Sequence, residues 1–194
     1  MTKSSIQVYL ACSLDGFIAG PEHDLSWLPD IATEQTPKPP DKNQEALEYD
    51  DFIEDIGALL MGRNTYDVVR GLEGKWPYSE KPVLVATHRP LDDNPPPNVQ
   101  AIEGEIGELI TTAKAKALEK DVYIDGGNLI RQAIEAGLID KFTITFAPIA
   151  LGQGIPLFAG LKEYYSLEIL AHHRYANCML QIQARPIRPS NDSS

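Results

Sequence analysis

Residues 122–129 read Val-Tyr-Ile-Asp-Gly-Gly-Asn-Leu. The first three residues are β-formers in a short apolar run, which predicts a buried strand. Gly126 and Gly127 carry no side chains, and Asn128 is a good N-cap for a helix whose apolar residues recur up to Gly137. A strand, two glycines and a helix place bare backbone N–H groups at a helix N-terminus, where an anion can bind. A tight turn that binds nothing is the alternative that this stretch alone leaves open.

Length, composition and charge limit what the rest of the chain can be. The 194 residues are 43% apolar and 23% charged, which is typical of one soluble globular domain. No run of about 18 apolar residues is present, so we predict no membrane span. The net charge of −11 opposes binding to nucleic acid or to an anionic membrane. An anion site must therefore be local, built from a few of the 17 Lys and Arg residues.

The two cysteines, Cys12 and Cys178, both lie in apolar, strand-like runs. Two cysteines cannot form a disulfide framework, and neither has the spacing of a metal ligand. We therefore predict that both are buried small hydrophobes, that the protein holds no metal, and that it is cytoplasmic.

Apolar runs and helical periodicity alternate along the chain, which predicts an α/β fold with a mostly parallel central sheet. Two later strands, Ser166–His172 and Tyr175–Ala184, are expected to form an antiparallel hairpin. The other strands are predicted at Ile6–Cys12, Ala58–Met61, Val83–Ala86, Val122–Ile124 and Phe142–Phe146, and the helices at Gln44–Ile56, from Tyr66, at Glu105–Lys120 and from Leu129. Loops are predicted at residues 20–43, Asp92–Asn98 and Pro148–Phe158, and a frayed tail at Pro186–Ser194.

Glycine or small polar residues follow three of the predicted strands, at Gly62–Thr65, Thr87–Arg89 and Gly126–Asn128. The carboxyl ends of parallel strands line one crevice in an open α/β sheet, so these three junctions should meet. Arg63, His88 and Arg89 bring scarce positive charge to the same edge. The pattern favours an anionic, phosphate-bearing ligand over three turns that bind nothing. His88 is a candidate catalytic base, although a histidine at a strand end is more often a surface or cofactor-edge residue.

Two further features are open to more than one interpretation. Trp27 lies in the long loop, where an indole can cover the core edge or contact a ligand. The predicted helix Gln44–Ile56 carries six carboxylates, most of which form a solvated face, since only one or two can face a cleft at helical spacing. These carboxylates are Glu45, Glu48, Asp50, Asp51, Glu54 and Asp55.

Three motifs together resemble the dihydrofolate reductase superfamily: Ser13–Ala19, Met61–Tyr66 and Tyr123–Gly127. The segment Leu151–Phe158 is similar to the branch that holds the reductase domain of riboflavin biosynthesis and its stand-alone relatives. The resemblance spans roughly residues 5–185, so it implies one domain over residues 1–185 with a dihydrofolate reductase-like three-layer fold, followed by the tail 186–194.

The resemblance implies an NADPH-dependent reductase and assigns roles to the residues of the three junctions. Gly126 and Gly127, with Asn128 and Leu129 at the helix start, lie beside the cofactor pyrophosphate in such a protein. The turn Gly62, Arg63, Asn64, Thr65 holds phosphate, and Thr87, His88 and Arg89 meet the adenosine 2′-phosphate. Ala11, Asp15 and Ile18 flank the nicotinamide, with Trp27 on the substrate side. The family also implies a cis peptide between Gly126 and Gly127.

The chain departs from the family in two places. The zinc deaminase motifs of the bifunctional riboflavin proteins are absent from the sequence, so deaminase activity is not expected. True dihydrofolate reductases carry one carboxylate on the helix after the proline loop. Here an insertion between Pro29 and Gln44 removes that alignment, which leaves Glu48 and Asp51 as the candidates for assisting protonation, together with Asp15.

We therefore predict hydride transfer from NADPH to a C=N or C=O carbon of a small heterocyclic substrate, either pterin-like or the riboflavin intermediate 5-amino-6-(5-phosphoribosylamino)uracil. NADPH is preferred over NADH because no acid lies within Thr87–Pro90. The alternatives are a nucleotide-binding module without turnover and a structural subunit that binds no nucleotide. By analogy with the riboflavin branch, a homodimer is expected, with contact through the hairpin Ser166–Ala184.

Overall fold

A computed structural model describes residues 4–28, 46–72, 74–175 and 177–188. Eight strands form the central sheet, in the order β5-β4-β3-β6-β1-β7-β10-β9. All neighbouring pairs from β5 to β7 are parallel, and β10 runs antiparallel to both β7 and β9. The strands are β1 (Ile6–Ser13), β3 (Ile56–Gly62), β4 (Val83–Ala86), β5 (Val99–Ile102), β6 (Asp121–Asp125), β7 (Lys141–Ala147), β9 (Leu167–Arg174) and β10 (Leu180–Pro186). The prediction that four early apolar runs share one sheet is confirmed, as is the C-terminal antiparallel hairpin.

Four helices cover the two faces of this sheet and complete three layers. They are α1 (Tyr49–Asp55), α2 (Arg63–Gly71), α3 (Ile106–Ala117) and α4 (Gly127–Glu135). Successive residues of a strand point to opposite faces, so β3 supplies both halves of the core. Ala58 and Leu60 pack with α3 and α4, whereas Leu59 and Met61 pack with α1 and α2. None of the helices in the described part of the chain is long and apolar enough to cross a membrane.

Aromatic side chains dominate the half of the core beneath α1. Phe52 of α1 lies with its ring centroid 4.7 Å from that of Tyr9 and 5.2 Å from that of Tyr123. The two tyrosines belong to the adjacent strands β1 and β6, and both are on the face that α1 covers. This aromatic packing fixes α1 over the centre of the sheet, next to the strand ends that form the candidate site.

Several element boundaries differ from the prediction. The helix predicted at Gln44–Ile56 is shorter, because Ile56 already begins β3 and Glu48 is the N-cap; residues 44 and 45 lie outside the described residues. Two short strands form a separate small sheet: β2 (Phe17–Ala19), for which no element was predicted, and β8 (Ile155–Pro156), which lies in a predicted loop. β5 follows the proline loop and had no prediction, because its four residues carry little apolar patterning.

The second hairpin strand also begins later than predicted, at Leu180, and this changes the environment of one cysteine. Cys12 is buried as predicted, but Cys178 is exposed in the turn before β10, where its φ is +67°. The prediction of burial was wrong for Cys178, because its apolar neighbours belong to a turn and not to a strand.

Candidate functional site

One cleft of about 1070 Å³ runs along the edge of the sheet where the parallel strands end. The structure brings the three predicted junctions together there, because β3, β4 and β6 are adjacent and parallel. All the residues predicted to contact the cofactor line this cleft. They are Ala11, Ile18, Gly62, Arg63, Asn64, Thr65, Thr87, His88, Arg89, Gly126, Gly127, Asn128 and Leu129.

Thr65 and Ile18, which also line the cleft, lie close to the glycine pair. Gly126 has a φ of +99°, and a Cβ on it would collide with Oγ1 of Thr65. A Cβ on Gly127 would come within 2.7 Å of Cδ1 of Ile18. Gly126 therefore requires glycine for its backbone conformation, whereas at Gly127 the close contact is with the end of the flexible Ile18 side chain, which can shift to make room. The result is a narrow passage whose floor is backbone.

The Gly126–Gly127 peptide is trans, since no peptide bond in the described residues is cis. The prediction of a cis bond was wrong. The positive φ of Gly126 turns the chain from β6 into α4 with a trans peptide, so the cis form, which costs about 3 kcal/mol outside proline, is not needed.

Two helices begin at this passage without a side-chain cap. The N-cap residues of α2 and α4 are Gly62 and Gly126, and neither helix has a capping side-chain hydrogen bond among the described residues. By contrast, α3 begins with a capping box in which the Glu108 carboxylate accepts a hydrogen bond from the Glu105 amide. The first-turn N–H groups of an uncapped helix lack acceptors and carry partial positive charge. Two such ends at one narrow passage suit the pyrophosphate of a dinucleotide.

Basic side chains gather at the outer end of the cleft, and each has an acceptor nearby. Arg63 Nε donates to Asp67 Oδ1 at 2.7 Å, and Arg63 Nη1 donates to the carbonyl of Pro90. Arg89 Nη2 donates to Asn64 Oδ1 at 3.3 Å. These bonds hold both guanidinium groups at the rim.

The two other predicted residues of this end also have partners. His88 Nδ1 lies 3.3 Å from Oε2 of Glu103, which follows β5. The Thr87 hydroxyl accepts the Arg89 amide at 2.9 Å and contacts the Arg89 carbonyl, which closes a local turn. The strand end Thr87–Arg89 is therefore a compact turn that presents Arg89 toward the cleft.

The inner end of the cleft has a different character. Tyr9, Tyr123 and Asp125 line it from the sheet, and aliphatic side chains line it from α2 and from the loop after β2. Asp125 follows Tyr123 by two residues, so both side chains lie on the face that α1 covers. The aliphatic residues are Leu25, Leu28, Val68, Val69 and Leu72.

Asp125 is the functional candidate that sequence reasoning missed. Its Oδ1 accepts the Gly126 amide at 2.8 Å. Burial raises the pKa of this carboxyl group to about 6, and the Gly126 hydrogen bond offsets only part of that effect. The sequence feature that could have identified Asp125 is its position directly before the glycine pair and two residues after a tyrosine predicted to be buried. A carboxyl group with a raised pKa in a cleft is a candidate proton donor.

The four residues predicted to be catalytic or substrate-binding all stand apart from the cleft lining. Asp15 is exposed, and its carboxylate accepts hydrogen bonds from the Ser13 hydroxyl and from the amides of Leu151 and Gly152, which lowers its pKa to about 2. It therefore anchors the 148–155 loop and is poorly suited to donate a proton. Trp27 Nε1 donates to the carbonyl of Asp24 within its own turn, while its neighbours Leu25 and Leu28 line the cleft instead.

The acidic helix is also outside the cleft. Glu48 and Asp51 are exposed, and neither lines the cavity. The segment before α1 is fixed by a buried amide: Gln181 Oε1 accepts the Leu47 amide at 2.8 Å, and Gln181 Nε2 donates to the Leu47 carbonyl at 3.1 Å. This clamp directs α1 so that its aromatic side, and not its acidic side, meets the sheet.

Comparisons with known proteins agree with this architecture. The model of the RibD C-terminal domain family matches residues 4–180. Uncharacterized protein YwjB of Bacillus subtilis (strain 168) is 32% identical over 164 residues, which cover 84% of this chain and 87% of YwjB. A crystal structure of a riboflavin biosynthesis protein from Shewanella sp. PV-4 is 31% identical, with a TM-score of 0.79 and coverage of 95% of this chain and 99% of that one. Dihydrofolate reductase of Enterococcus faecalis, in complex with NADP(H), shares the fold at 17% identity, with a TM-score of 0.61 and coverage of 96% and 98%.

Proposed function

The chain belongs to the RibD C-terminal domain family, and on that premise we propose that it is an NADPH-dependent reductase acting on a small heterocyclic substrate. One observation carries the proposal. The ends of β3, β4 and β6 converge on a single cleft whose narrow passage is lined by backbone and by two uncapped helix N-termini. Such a passage suits the pyrophosphate of a dinucleotide, and the length of the cleft leaves room for a group at each end.

The residues present fit the cofactor. A Cβ on Gly126 would collide with Oγ1 of Thr65, so only glycine lets the end of β6 pack this closely against the start of α2. Gly126, Gly127 and the starts of α2 and α4 would hold the pyrophosphate, and Arg63 and Arg89 would hold the 2′-phosphate. Ala11 and Ile18 would flank the nicotinamide between the passage and the inner end. The NADP(H) complex of the E. faecalis protein, which shares this fold, supports the choice of cofactor.

A bound nicotinamide would supply the hydride. The chain's own residues would align the substrate with the nicotinamide and supply a proton. Ile18 packs against Gly127 and gives the passage an apolar wall beside the nicotinamide. Oδ1 of Asp125 is engaged by the Gly126 amide, so the neutral carboxyl group carries its proton on Oδ2. With a pKa of about 6, this group is protonated in a large fraction of molecules at slightly acidic pH and can protonate a ring nitrogen as the adjacent carbon is reduced.

The positions of α1 and Asp125 also limit which substrates the cleft can accept. Since the carboxylates of α1 lie outside the cleft, they do not select against a phosphorylated ligand, and the riboflavin intermediate and a pterin-like ring both stay open. Planar heterocycles of either kind present nitrogen atoms that can accept the proton of Asp125 and a flat face that suits Tyr9. The second candidate function, nucleotide binding without turnover, is favoured by no specific contact in the cleft.

The proposal is tested by following NADPH absorbance with a panel of oxidised pterins and pyrimidine intermediates, using the whole chain. Deuterium from NADPH labelled at nicotinamide C4 should appear at a carbon of the reduced product. NADPH binding without transfer to any member of the panel would favour the binding module, and no binding of NADPH would contradict both functions.

A further inference from the structure

We infer that Asp67 sets how strongly the cleft distinguishes NADPH from NADH, because its carboxylate competes with the 2′-phosphate for the two arginines at the outer end. The inference rests on the proposed function, which places the 2′-phosphate at Arg63 and Arg89. Neither the sequence motifs nor the family resemblance assigns a role to Asp67.

The geometry places one carboxylate between two guanidinium groups. Asp67 lies on α2, one turn after Arg63, and its Oδ1 accepts Arg63 Nε at 2.7 Å. Its Oδ2 is 3.9 Å from Arg89 Nη2. The side chain of Arg63 is only 19% exposed, whereas that of Asp67 is 44% exposed, so the carboxylate lies on the open side of the pair. Asp67 does not itself line the cleft, but it lies within ion-pair distance of both arginines, so an anion bound by Arg63 and Arg89 has it as a like-charged neighbour.

The sign of the effect follows from the other contacts of the two arginines. Arg63 is also held by the carbonyl of Pro90, and Arg89 is also held by Asn64 Oδ1. Both second acceptors are uncharged, so each guanidinium keeps an anchor at the rim without Asp67. The contribution that only Asp67 makes is a negative charge, which cancels one of the two positive charges available to a phosphate.

A 2′-phosphate and a 2′-hydroxyl respond differently to that charge. The phosphate of NADPH carries nearly two negative charges and is repelled, whereas the neutral hydroxyl of NADH is almost indifferent. His88 and Glu103 also lie at this end, with Nδ1 3.3 Å from Oε2, and they are the same in the wild type and in any Asp67 variant. Asp67 thus lowers the preference for NADPH below the value that two unopposed arginines would give.

Two substitutions at Asp67 remove its negative charge. Asp67→Asn keeps the shape of the side chain and an oxygen that can accept a hydrogen bond from Arg63, and Asp67→Ser removes the carboxylate group altogether. We expect both variants to bind NADPH and adenosine 2′,5′-bisphosphate about fivefold more tightly than wild type, with NADH and ADP binding nearly unchanged. The gain should shrink between about 50 mM and about 500 mM NaCl, since the charges are exposed to solvent. Isothermal titration of the full chain with the four nucleotides gives all the values.

Glu163→Gln is the matched control, because it makes the same change in net charge at an exposed site outside the cleft. It should leave all four dissociation constants unchanged. Unchanged or weaker NADPH binding by the Asp67 variants, or an equal gain for NADH, would overturn the inference while leaving the reductase proposal intact. Failure of the wild type to bind either dinucleotide would instead contradict the proposed function.

Discussion

The amide of Gly126 donates a 2.8 Å hydrogen bond to the carboxyl group of Asp125, the residue just before it. This bond ties the one acid at the inner end of the described cleft to the glycine passage through which the cofactor would run. Asp125 is therefore placed between the aromatic half of the core and the proposed reaction centre. Burial nevertheless raises its pKa to about 6, so the folded protein favours the neutral carboxyl group.

The first prediction is that Asp125 makes stability depend on pH. A carboxyl group whose pKa is raised on folding stabilises the protein fully below its unfolded-state pKa, near 4, and that contribution is lost as the pH rises through about 6. Asp125→Asn should remove the dependence, so its free energy of unfolding should gain about 2 kcal/mol relative to wild type between pH 4 and pH 7. Urea denaturation across this range measures the difference, with Asp50→Asn, an exposed acid of α1, as the control. Parallel curves for wild type and Asp125→Asn would contradict the placement of Asp125.

The second prediction concerns the glycine passage. Gly126→Ala adds a Cβ against Oγ1 of Thr65 at a φ of +99°, so NADPH binding should weaken at least about tenfold and stability should fall by about 1–2 kcal/mol. Gly137→Ala is the matched control: this glycine lies just past the other end of α4, at a φ of +65°, and a Cβ there meets nothing within 4 Å. The control should lose stability and keep NADPH affinity. Equal binding by both variants would show that the passage does not hold the cofactor.

The third prediction concerns Arg89 at the outer end. One charge-assisted contact to a phosphate is worth roughly 1.5–3 kcal/mol, so Arg89→Ala should weaken NADPH binding by about tenfold or more and leave NADH binding nearly unchanged. Arg70→Ala serves as the control, because Arg70 pairs with Asp92 outside the cleft. The measurement is the dissociation constants of NADPH and NADH for the wild type and both variants at one salt concentration. Equal losses for the two dinucleotides would mean that Arg89 supports the pyrophosphate or the fold, and not the 2′-phosphate.

The fourth prediction is a homodimer through the C-terminal hairpin, which we propose from its surface. β9 is an edge strand of the sheet, and Ile169, Leu170 and Leu180 of the hairpin are all more than a third exposed. An exposed apolar edge is a surface that a second copy can cover. Sedimentation velocity at low micromolar concentration should show a dimer, and Ile169→Lys should shift it to monomer. Leu118→Lys, at an exposed leucine that ends α3 away from the hairpin, should stay dimeric. A monomeric wild type would contradict the proposal.

Local patterns were enough to predict most strands of the central sheet, the four helices and the three junctions that line the cleft. The junction residues, Gly62, Gly126 and the basic side chains, directly follow apolar runs in the sequence. Because the strands that precede them are parallel and adjacent, their ends meet in one cleft. The acids at the outer end could not be found in this way. No acid lies within Thr87–Pro90, yet α2 brings Asp67 and the end of β5 brings Glu103 to that turn. The spacing of four residues indicates the pair Arg63–Asp67, but the proximity of Asp67 and Glu103 to the turn Thr87–Arg89 depends on the tertiary fold.

The candidate catalytic residues show the same limit. Asp15 was chosen for its place in a motif, but it binds the amides of Leu151 and Gly152, more than 130 residues away in sequence. Glu48 and Asp51 were chosen because they lie on an acidic helix, yet the helix turns its aromatic side to the sheet. Asp125 belongs to one of the motifs, but no catalytic role was predicted for it. Which acid faces the cleft is decided by strand parity and helix rotation, and these depend on packing.

An equilibrium titration of the full chain with NADPH, followed by the fluorescence of the dinucleotide, tests most directly whether this cleft binds a nicotinamide cofactor. We expect saturable binding at one site per chain, competition by adenosine 2′,5′-bisphosphate, and weakened binding in Gly126→Ala but not in Gly137→Ala. Absence of saturable binding by a folded wild-type protein would contradict the assignment of this cleft to a nicotinamide cofactor.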